Sequence, residues 1–530
     1  QFHSHCDTEV ILHGYRAWGL DELLTRMRGM FAIAIWDNRR RTLFLVRDRL
    51  GVKPLHYAFS GGKLAFASTA DALHRTGLLG DLNPRAVLEY LEFGFVTDAE
   101  GIFAGASKVS AGEIVEWHDG KLSRRSYWRM PDIDESLRIT FDEAVEETEK
   151  LLLEAVRDRL DADVPVGALL SGGIDSGLIC WGMAKLNANI TAFTVGVAGD
   201  SSDETADAAH TAARLGIPHR VVQLNSDGAA GAEDVATAFG EPFGCPSALG
   251  MLEVSRAVKP YATVLLTGDG GDDVFLGYPF HRHFWMAQRL ARALPDFASP
   301  LWRGLRKSIA GADSLRRPRH FLDYATGGLG AITRVHDGLP YYRGMGLLGE
   351  RLASGEIAQR EIPLDNIPAR HLLNDFLPHE QRTRFVGEFM TKVDGGTMHY
   401  AIEARSPLLD HRIWDFAARL PPSIRLRDGQ LKAILREIAN RRIGPQTANR
   451  QKRGFTVPVQ RWLTSRWKQN LDEICSAPIL EAEGWLSPGA MRRSVQAAAA
   501  GGAPTQLWYL VVLEHWMRRQ RSLSKPLERT

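Results

Sequence analysis

The 530-residue chain has only four cysteines, Cys6, Cys180, Cys245 and Cys475, scattered in no metal-ligand spacing. Thiols so few and so far apart exclude a disulfide scaffold and a cysteine-built metal centre, and they are expected to be the reduced thiols of a cytoplasmic protein. No apolar run reaches the roughly 18 residues that would cross a bilayer, so no membrane span is expected. An excess of one charge is also lacking. The 65 Lys and Arg against 63 Asp and Glu leave a net charge of +2, which gives no overall pull toward nucleic acid. The basic stretch "WMRRQRSLSK" at 516–525 reads as a solvated helix end. His3, His5 and Cys6 lack further ligands at metal spacing. No repeat of 20–50 residues is apparent. The first residue is Gln1, with neither an initiating Met nor a signal peptide, so the sequence is expected to be a fragment of a longer one. What remains, 44% hydrophobic and 24% charged residues, is globular composition over a length that requires two or three domains.

Residues 1–130 read as β-rich. Apolar or alternating stretches at 30–37, 42–47, 56–59, 63–67, 113–117 and 121–126 are punctuated by Gly61-Gly62 and His118-Asp119-Gly120, with one helix expected over 7–18. A polar linker at 131–140 follows, and the third segment is 141–530. It opens with an amphipathic helix over 141–161. Strands are then expected at 164–170, 190–197, 218–224 and 263–267, alternating with helices at 203–215 and 251–258. This alternation predicts an α/β, doubly wound parallel sheet whose ligands bind beyond the carboxyl ends of the strands. From about residue 280 onward the pattern is mostly helical.

Two glycine-rich acidic loops stand at expected strand ends: "SGGIDSG" at 171–177 and "LTGDGGDDVFLGY" at 266–278. A glycine turn that opens a helix offers orphan N–H donors and a positive dipole end to an anion. The first loop nevertheless lacks the lysine with which a Walker loop reaches the β- and γ-phosphates. Asp175, Asp269, Asp272 and Asp273 are hard oxygen donors suited to Mg²⁺ shared with substrate phosphates.

Ser171-Gly-Gly-Ile-Asp-Ser176 resembles the pyrophosphate loop of the N-type ATP pyrophosphatases, and Gly268-Asp-Gly-Gly-Asp-Asp273 with Phe275 to Tyr278 resembles the second signature of the asparagine synthetase branch. The likeness continues through "KVDGGTMHYAIEARSPLLDHR" (392–412), "DGQLKAILRE" (428–437) and "RQKRGFTVPVQRWL" (450–463). At the front, "HCDTEVILHGYRAWG" (5–19), "GMFAIAIWD" (29–37) and "RDRLGVKPLHY" (47–57) are similar to the later part of an N-terminal-nucleophile glutamine amidotransferase domain. The resemblance implies an incomplete αββα sandwich over 1–130 and an ATP-dependent asparagine synthetase-type domain over 141–530. Together they would form a carbon–nitrogen ligase using glutamine, ATP, Mg²⁺ and aspartate or a related carboxylate; a homodimer is compatible with it.

By the same resemblance, Leu169, Leu170, Val195, Thr267 and Gly268 would line the adenine and ribose pocket. Ser171, Gly172, Gly173, Asp175 and Ser176 would hold pyrophosphate, with Asp175 and Asp272 as Mg²⁺ ligands. Asp269 stands at the position of an acid involved in forming the acyl-adenylate. Lys452 would stabilise charge on the transferring phosphate, though as residues alone it could be a solvated lysine. Arg405 would position a substrate carboxylate, or else pair structurally with Glu403 or Asp410. Asp7 would bind the amino group of glutamine, whereas Arg47 and Asp48 read as turn-stabilising.

The chain departs from the family pattern in several places. Its start matches sequence already well inside the amidotransferase domain, so the nucleophilic cysteine at that domain's own N-terminus is expected either to lie upstream of Gln1 or never to have existed, and Cys6 is not it. Gly177, Gly240 and Cys245 replace polar or acidic residues, and Asp269 is shorter than the Glu of asparagine producers. Two alternatives stay open: an adenylating cyclase of the β-lactam synthetase or lasso-cyclase type, using an internal amine without glutaminase activity, and a non-catalytic relative.

Overall fold

The computed structural model of the chain describes residues 2–196, 203–223, 230–308, 316–450, 457, 459–501 and 505–523. Its front part holds two antiparallel sheets. One has the order β1-β2-β6-β7, from β1 (Ala32–Asp37), β2 (Thr42–Arg47), β6 (Glu113–His118) and β7 (Lys121–Ser126); the other has the order β4-β3-β5, from β3 (His56–Ser60), β4 (Lys63–Ala67) and β5 (Ala106–Lys108). Leu45 and Val115 of the first sheet meet Tyr57 of the second in a buried layer, while Leu20 and Leu24 of the helix Asp7–Arg26 cover Ile35, Phe44 and Ile114 on the outer face. That helix runs past the expected residue 18 through a kink at Gly19, whose φ of +75° is open to glycine at no steric cost. The helix Pro84–Phe93, opened by an Asn83 side-chain cap and closed by Gly94 in the left-handed region, was not expected in a region read as sheets. Its polar stripe, Arg85, Glu89 and Glu92, is largely turned inward: Glu89 accepts from Thr97 and Glu92 from Arg360, so burial hides the pattern.

The central sheet is parallel throughout, in the order β10-β9-β8-β11-β12, with β8 (Val166–Leu169), β9 (Thr191–Gly196), β10 (His219–Gln223), β11 (Val264–Leu266) and β12 (Glu403–Arg405). Such sheets are covered on both faces by helices, which explains the apolar runs at β8 and β11. The helix Phe141–Leu160, started by a Thr140/Glu143 capping box, buries Ala144, Leu152 and Val156 in the same core as Ala168 and Leu266. β12 is a strand within the later part, which the sequence pattern reads as mostly helical. At three residues it is too short to carry any periodicity, and it enters only because Leu266 and Arg405 come into register at the sheet edge.

The chain leaves β8 for β9 and β10 on one side, then returns to β11 on the other side of β8. The reversal between β8 and β11 opens a crevice at their carboxyl ends. The front part packs against this domain through buried polar contacts. Lys53 Nζ lies 2.7 Å from Asp394 Oδ1, and Lys108 pairs with Glu241. Arg47 donates to the carbonyls of Gly51, Lys53 and Val109, while Asp48 accepts from the N–H groups of Leu50, Val52 and Lys53, so both tie down a turn. Gly240 belongs to the same contact, since a Cβ there would stand 2.6 Å from Thr69 Cβ. Among the described residues, no helix is long and apolar enough to cross a membrane.

Candidate active site

The two acidic loops meet. The first runs from Leu170 to the helix Ile174–Lys185, and the second from Thr267 to the short helix Gly271–Val274. They follow neighbouring strands paired at Ala168 and Leu266, and glycine lets them touch. A Cβ on Gly268 would stand 2.7 Å from Ser176 N and 2.9 Å from Asp175 Cβ, and one on Gly271 would stand 2.6 Å from Asp175 Oδ1. Gly270 turns the second loop at φ +93°, a backbone conformation that side chains with a Cβ rarely adopt.

A cavity of about 1210 Å³ opens over this junction. Its wall includes Leu169, Leu170, Ser171, Gly173, Asp175, Ser176, Val195, Thr267, Gly268, Asp269 and Asp272, with Asp273 beside them. Gly172, the second residue of the first loop, is buried. Ser171 and Ser176 hold the loop's shape: their hydroxyls lie 2.9 Å apart, Gly173 N–H donates to Ser171 Oγ at 3.1 Å, and Ser171 N–H donates to Ser176 Oγ at 3.1 Å. The Thr267 hydroxyl is buried on the cavity wall with no hydrogen-bond partner among the described residues, an acceptor and donor available to a ligand. Asp269 is fixed through its backbone carbonyl, which accepts from Ser406 Oγ at 2.6 Å.

The residue that sequence reasoning passed over is Lys432. Its ammonium is held by Asp175 of the first loop and lies 2.6 Å from Asp272 Oδ1 of the second. Lys432 is itself only 6% exposed. It sits in the left-handed region, at φ +55°, just before the helix Ala433–Arg442. A non-glycine residue kept there carries backbone strain that its surroundings must hold in place. Burial alone would lower the lysine's pKa, but the two carboxylates outweigh it and keep the ammonium charged above the usual lysine range. The two aspartates therefore already bracket one cation. Among the described residues no set of three or more His, Cys, Asp or Glu side chains could hold a metal. A pair of hard carboxylates suits Mg²⁺ whose other ligands are phosphate oxygens and water.

Two further groups were missed. Glu204 lines the cavity and accepts from Gly172 N–H at 3.2 Å. Arg450 donates to Gly172 O at 3.2 Å and pairs with Asp207. Glu204 stands in no glycine-rich or otherwise patterned segment, and Arg450, although it opens the 450–463 block, has no expected role there.

Part of the cavity wall comes from a ten-residue π-helix, Gln381–Met390. Such windings are rare and cluster at functional sites. Arg384 donates to Glu388 at 2.7 Å, and the guanidinium of Arg384 and the ammonium of Lys392 lie 5.0 and 5.3 Å from the Phe389 ring centroid. Burial pushes the Glu380 carboxyl up to about 7, opposed by Arg384 and assisted by Glu388. Cys245 reaches this wall, with Sγ 3.2 Å from Glu388 Oε1 and 3.1 Å from Ser247 Oγ. Burial pushes its thiol up to about 12, so it stays protonated and is no nucleophile.

Arg405, expected to position a substrate carboxylate, is not brought to the cavity. Arg405 donates to Glu403 at 2.6 Å and to the carbonyls of Arg159 and Asp161, joining β12 to the end of the helix Phe141–Leu160, so its guanidinium is engaged in structure and not with a substrate carboxylate. Asp410 is instead a buried helix cap held by Arg159 and Arg412. Asp7 is exposed in the first turn of the helix Asp7–Arg26. Lys452 lies outside the described residues.

Comparison with known proteins gives this geometry a context. A family model described as asparagine synthase matches residues 147–518, and one described as a glutamine amidotransferase domain matches residues 1–128. A protein named asparagine synthetase [glutamine-hydrolyzing] 1 from Bacillus subtilis is 26% identical, with the match covering 89% of this chain and 74% of that protein. A putative asparagine synthetase [glutamine-hydrolyzing] of Mycobacterium tuberculosis is 27% identical over 87% of this chain and 72% of that protein. A protein named amidase chyE from Penicillium rubens is 27% identical over 94% and 80%. With the synthase model covering most of the chain and both acidic loops meeting at one crevice, the chain belongs to the asparagine synthase family.

Proposed function

We propose that the chain is a glutamine-dependent amidotransferase. In this reading it activates a carboxylate, aspartate or a related acid, as an acyl-adenylate with ATP and then forms the amide with ammonia derived from glutamine, releasing AMP and pyrophosphate. The observation that carries this reading is the junction of the two acidic loops, with Asp175 and Asp272 bracketing a cation at the floor of one cavity. The co-occurrence of an amidotransferase match with a synthase match favours external ammonia over an internal amine.

ATP would lie with its base against Leu169, Leu170 and Val195, its ribose near Thr267 and Gly268, and its β- and γ-phosphates on the 171–176 loop. There the N–H groups and the hydroxyls of Ser171 and Ser176 favour an anion, and the loop needs no lysine because it grips the group that leaves. Mg²⁺ held by Asp175 and Asp272 would neutralise charge as it builds on pyrophosphate. The substrate carboxylate would attack the α-phosphorus from the Asp269 side. Arg384, Glu388 and Lys392 offer one acidic and two basic groups to the rest of an acid. Lys452 would face the phosphate that stays on the acyl group, a preorganised charge worth several kcal/mol. Asp7 would bind the amino group of glutamine in the front domain, proposed as residues 1–130 ahead of a linker at 131–140 and the synthase domain at 141–530.

Pyrophosphate release should therefore require ATP, Mg²⁺ and a carboxylic acid together, with ammonium needed only for the acyl-adenylate to turn over. A panel of amino-acid and other carboxylates read by a coupled pyrophosphate assay tests this, and release that ignores the acid would contradict it. Gly268→Ala should keep the fold, since overpacking costs about 1–3 kcal/mol. It should still lower release about 100-fold, because the new methyl parts the two loops and a displacement near 1 Å misaligns reacting groups. Unchanged release, with circular dichroism confirming the fold, would show that the close approach has no role.

A further inference from the structure

Each sign of charge that Mg²⁺-ATP would bring to this crevice has one counterpart in the chain itself. Lys432 stands between the two carboxylates. On the other side, Gly172 N–H points at a carboxylate, Glu204 Oε2, at 3.2 Å. Glu204 begins the helix Thr205–Leu215, and its side chain makes no cap bond to that helix. Instead it reaches from the start of that helix to the loop after β8. Asp203, whose side chain accepts from Thr205 N–H at 2.8 Å, fixes the turn that aims it. From behind, Arg450 holds the carbonyl of the same glycine, so the Gly172 peptide is clamped at both ends.

A buried N–H must have a partner, and a loop built to bind an anion leaves its N–H groups exposed to that cost when the anion is gone. We propose that Glu204 is a stand-in anion: it holds Gly172 N–H at part of the pyrophosphate position, is displaced when the phosphates arrive, and retakes the N–H as pyrophosphate leaves. This rests on the reading of the 171–176 loop as the pyrophosphate site. Its consequence is weaker product retention, because pyrophosphate binds only the fraction of molecules in which Glu204 has withdrawn.

The test is isothermal titration of the full chain with inorganic pyrophosphate in the presence of Mg²⁺. Glu204→Gln still accepts from the amide without charge, and Glu204→Ala vacates the place. Both should bind pyrophosphate about tenfold tighter or more than the unaltered protein, since a charge-assisted hydrogen bond no longer competes. Glu204→Asp keeps the negative charge but withdraws it from the amide, and should also bind several-fold tighter; general repulsion by a nearby charge predicts no gain there. Glu147→Gln, the same charge change at an exposed pair with Lys150, should leave affinity within about twofold. Equal or weaker binding by the Glu204 variants, with melting temperature unchanged, would make Glu204 a mere brace of the loop and overturn the proposal. Failure of every variant to bind pyrophosphate would instead overturn the reading of the loop.

Discussion

Asp272→Ala is expected to lower acid-dependent pyrophosphate release by about a thousandfold or more, and Asp175→Ala to do the same, because the loss of several kcal/mol of charge stabilisation on the departing pyrophosphate costs that much in rate. The two residues sit on different loops but share one cation, Lys432 in the structure described here. Either truncation removes one of two hard oxygen donors and leaves the other to hold Mg²⁺ alone. The conservative Asp272→Asn keeps the shape and should fail nearly as badly, which separates lost charge from lost packing. Near-normal release from either alanine variant, measured with saturating ATP and Mg²⁺, would remove these residues from the metal site.

The second large effect concerns Lys432. In the absence of divalent metal, Lys432→Met leaves two carboxylates at the crevice without the ammonium that neutralises them. Breaking a buried ion network by removing one partner costs about 3–5 kcal/mol, so the melting temperature should fall by roughly 5–10 °C. Millimolar Mg²⁺ should then raise the melting temperature of the variant more than that of the unaltered protein, since the metal meets an empty place and not an ammonium it must displace. A deficit that Mg²⁺ leaves untouched would mean that the lysine and the metal do not share the site.

The sequence carried the parts of this site that lie in patterned stretches. Ser171 to Ser176 and Gly268 to Asp273 each combine an apolar strand, glycine and carboxylate. Strand–helix alternation also predicts that they lie on one sheet, because chain reversal beside β8 puts both loops at one edge. It did not show the partners that arrive from far away in the chain. Lys432 lies in a block noticed only as a resemblance, and nothing local distinguishes it from Lys185 or Lys259; its role exists only because the helix Ala433–Arg442 begins at the crevice, after a left-handed residue. Glu204 looked like an ordinary acidic helix start. Arg405 failed for the converse reason: a promising residue type in a promising block, it became the end of β12, and the strand's register faced it to the backbone at Asp161. Arg384 and Glu388 depend on a π-helical winding that no period read from sequence announces.

The central claim is that a carboxylate is joined to AMP before it is joined to nitrogen. It is tested most directly with an acid substrate labelled with ¹⁸O in the reacting carboxylate, turned over with ATP, Mg²⁺ and ammonium, and with the products analysed by mass spectrometry. An acyl-adenylate must transfer one carboxylate oxygen to the leaving nucleotide, so AMP carrying a single ¹⁸O, with unlabelled pyrophosphate, is the predicted result. ADP as the nucleotide product, with the label in inorganic phosphate, would contradict it.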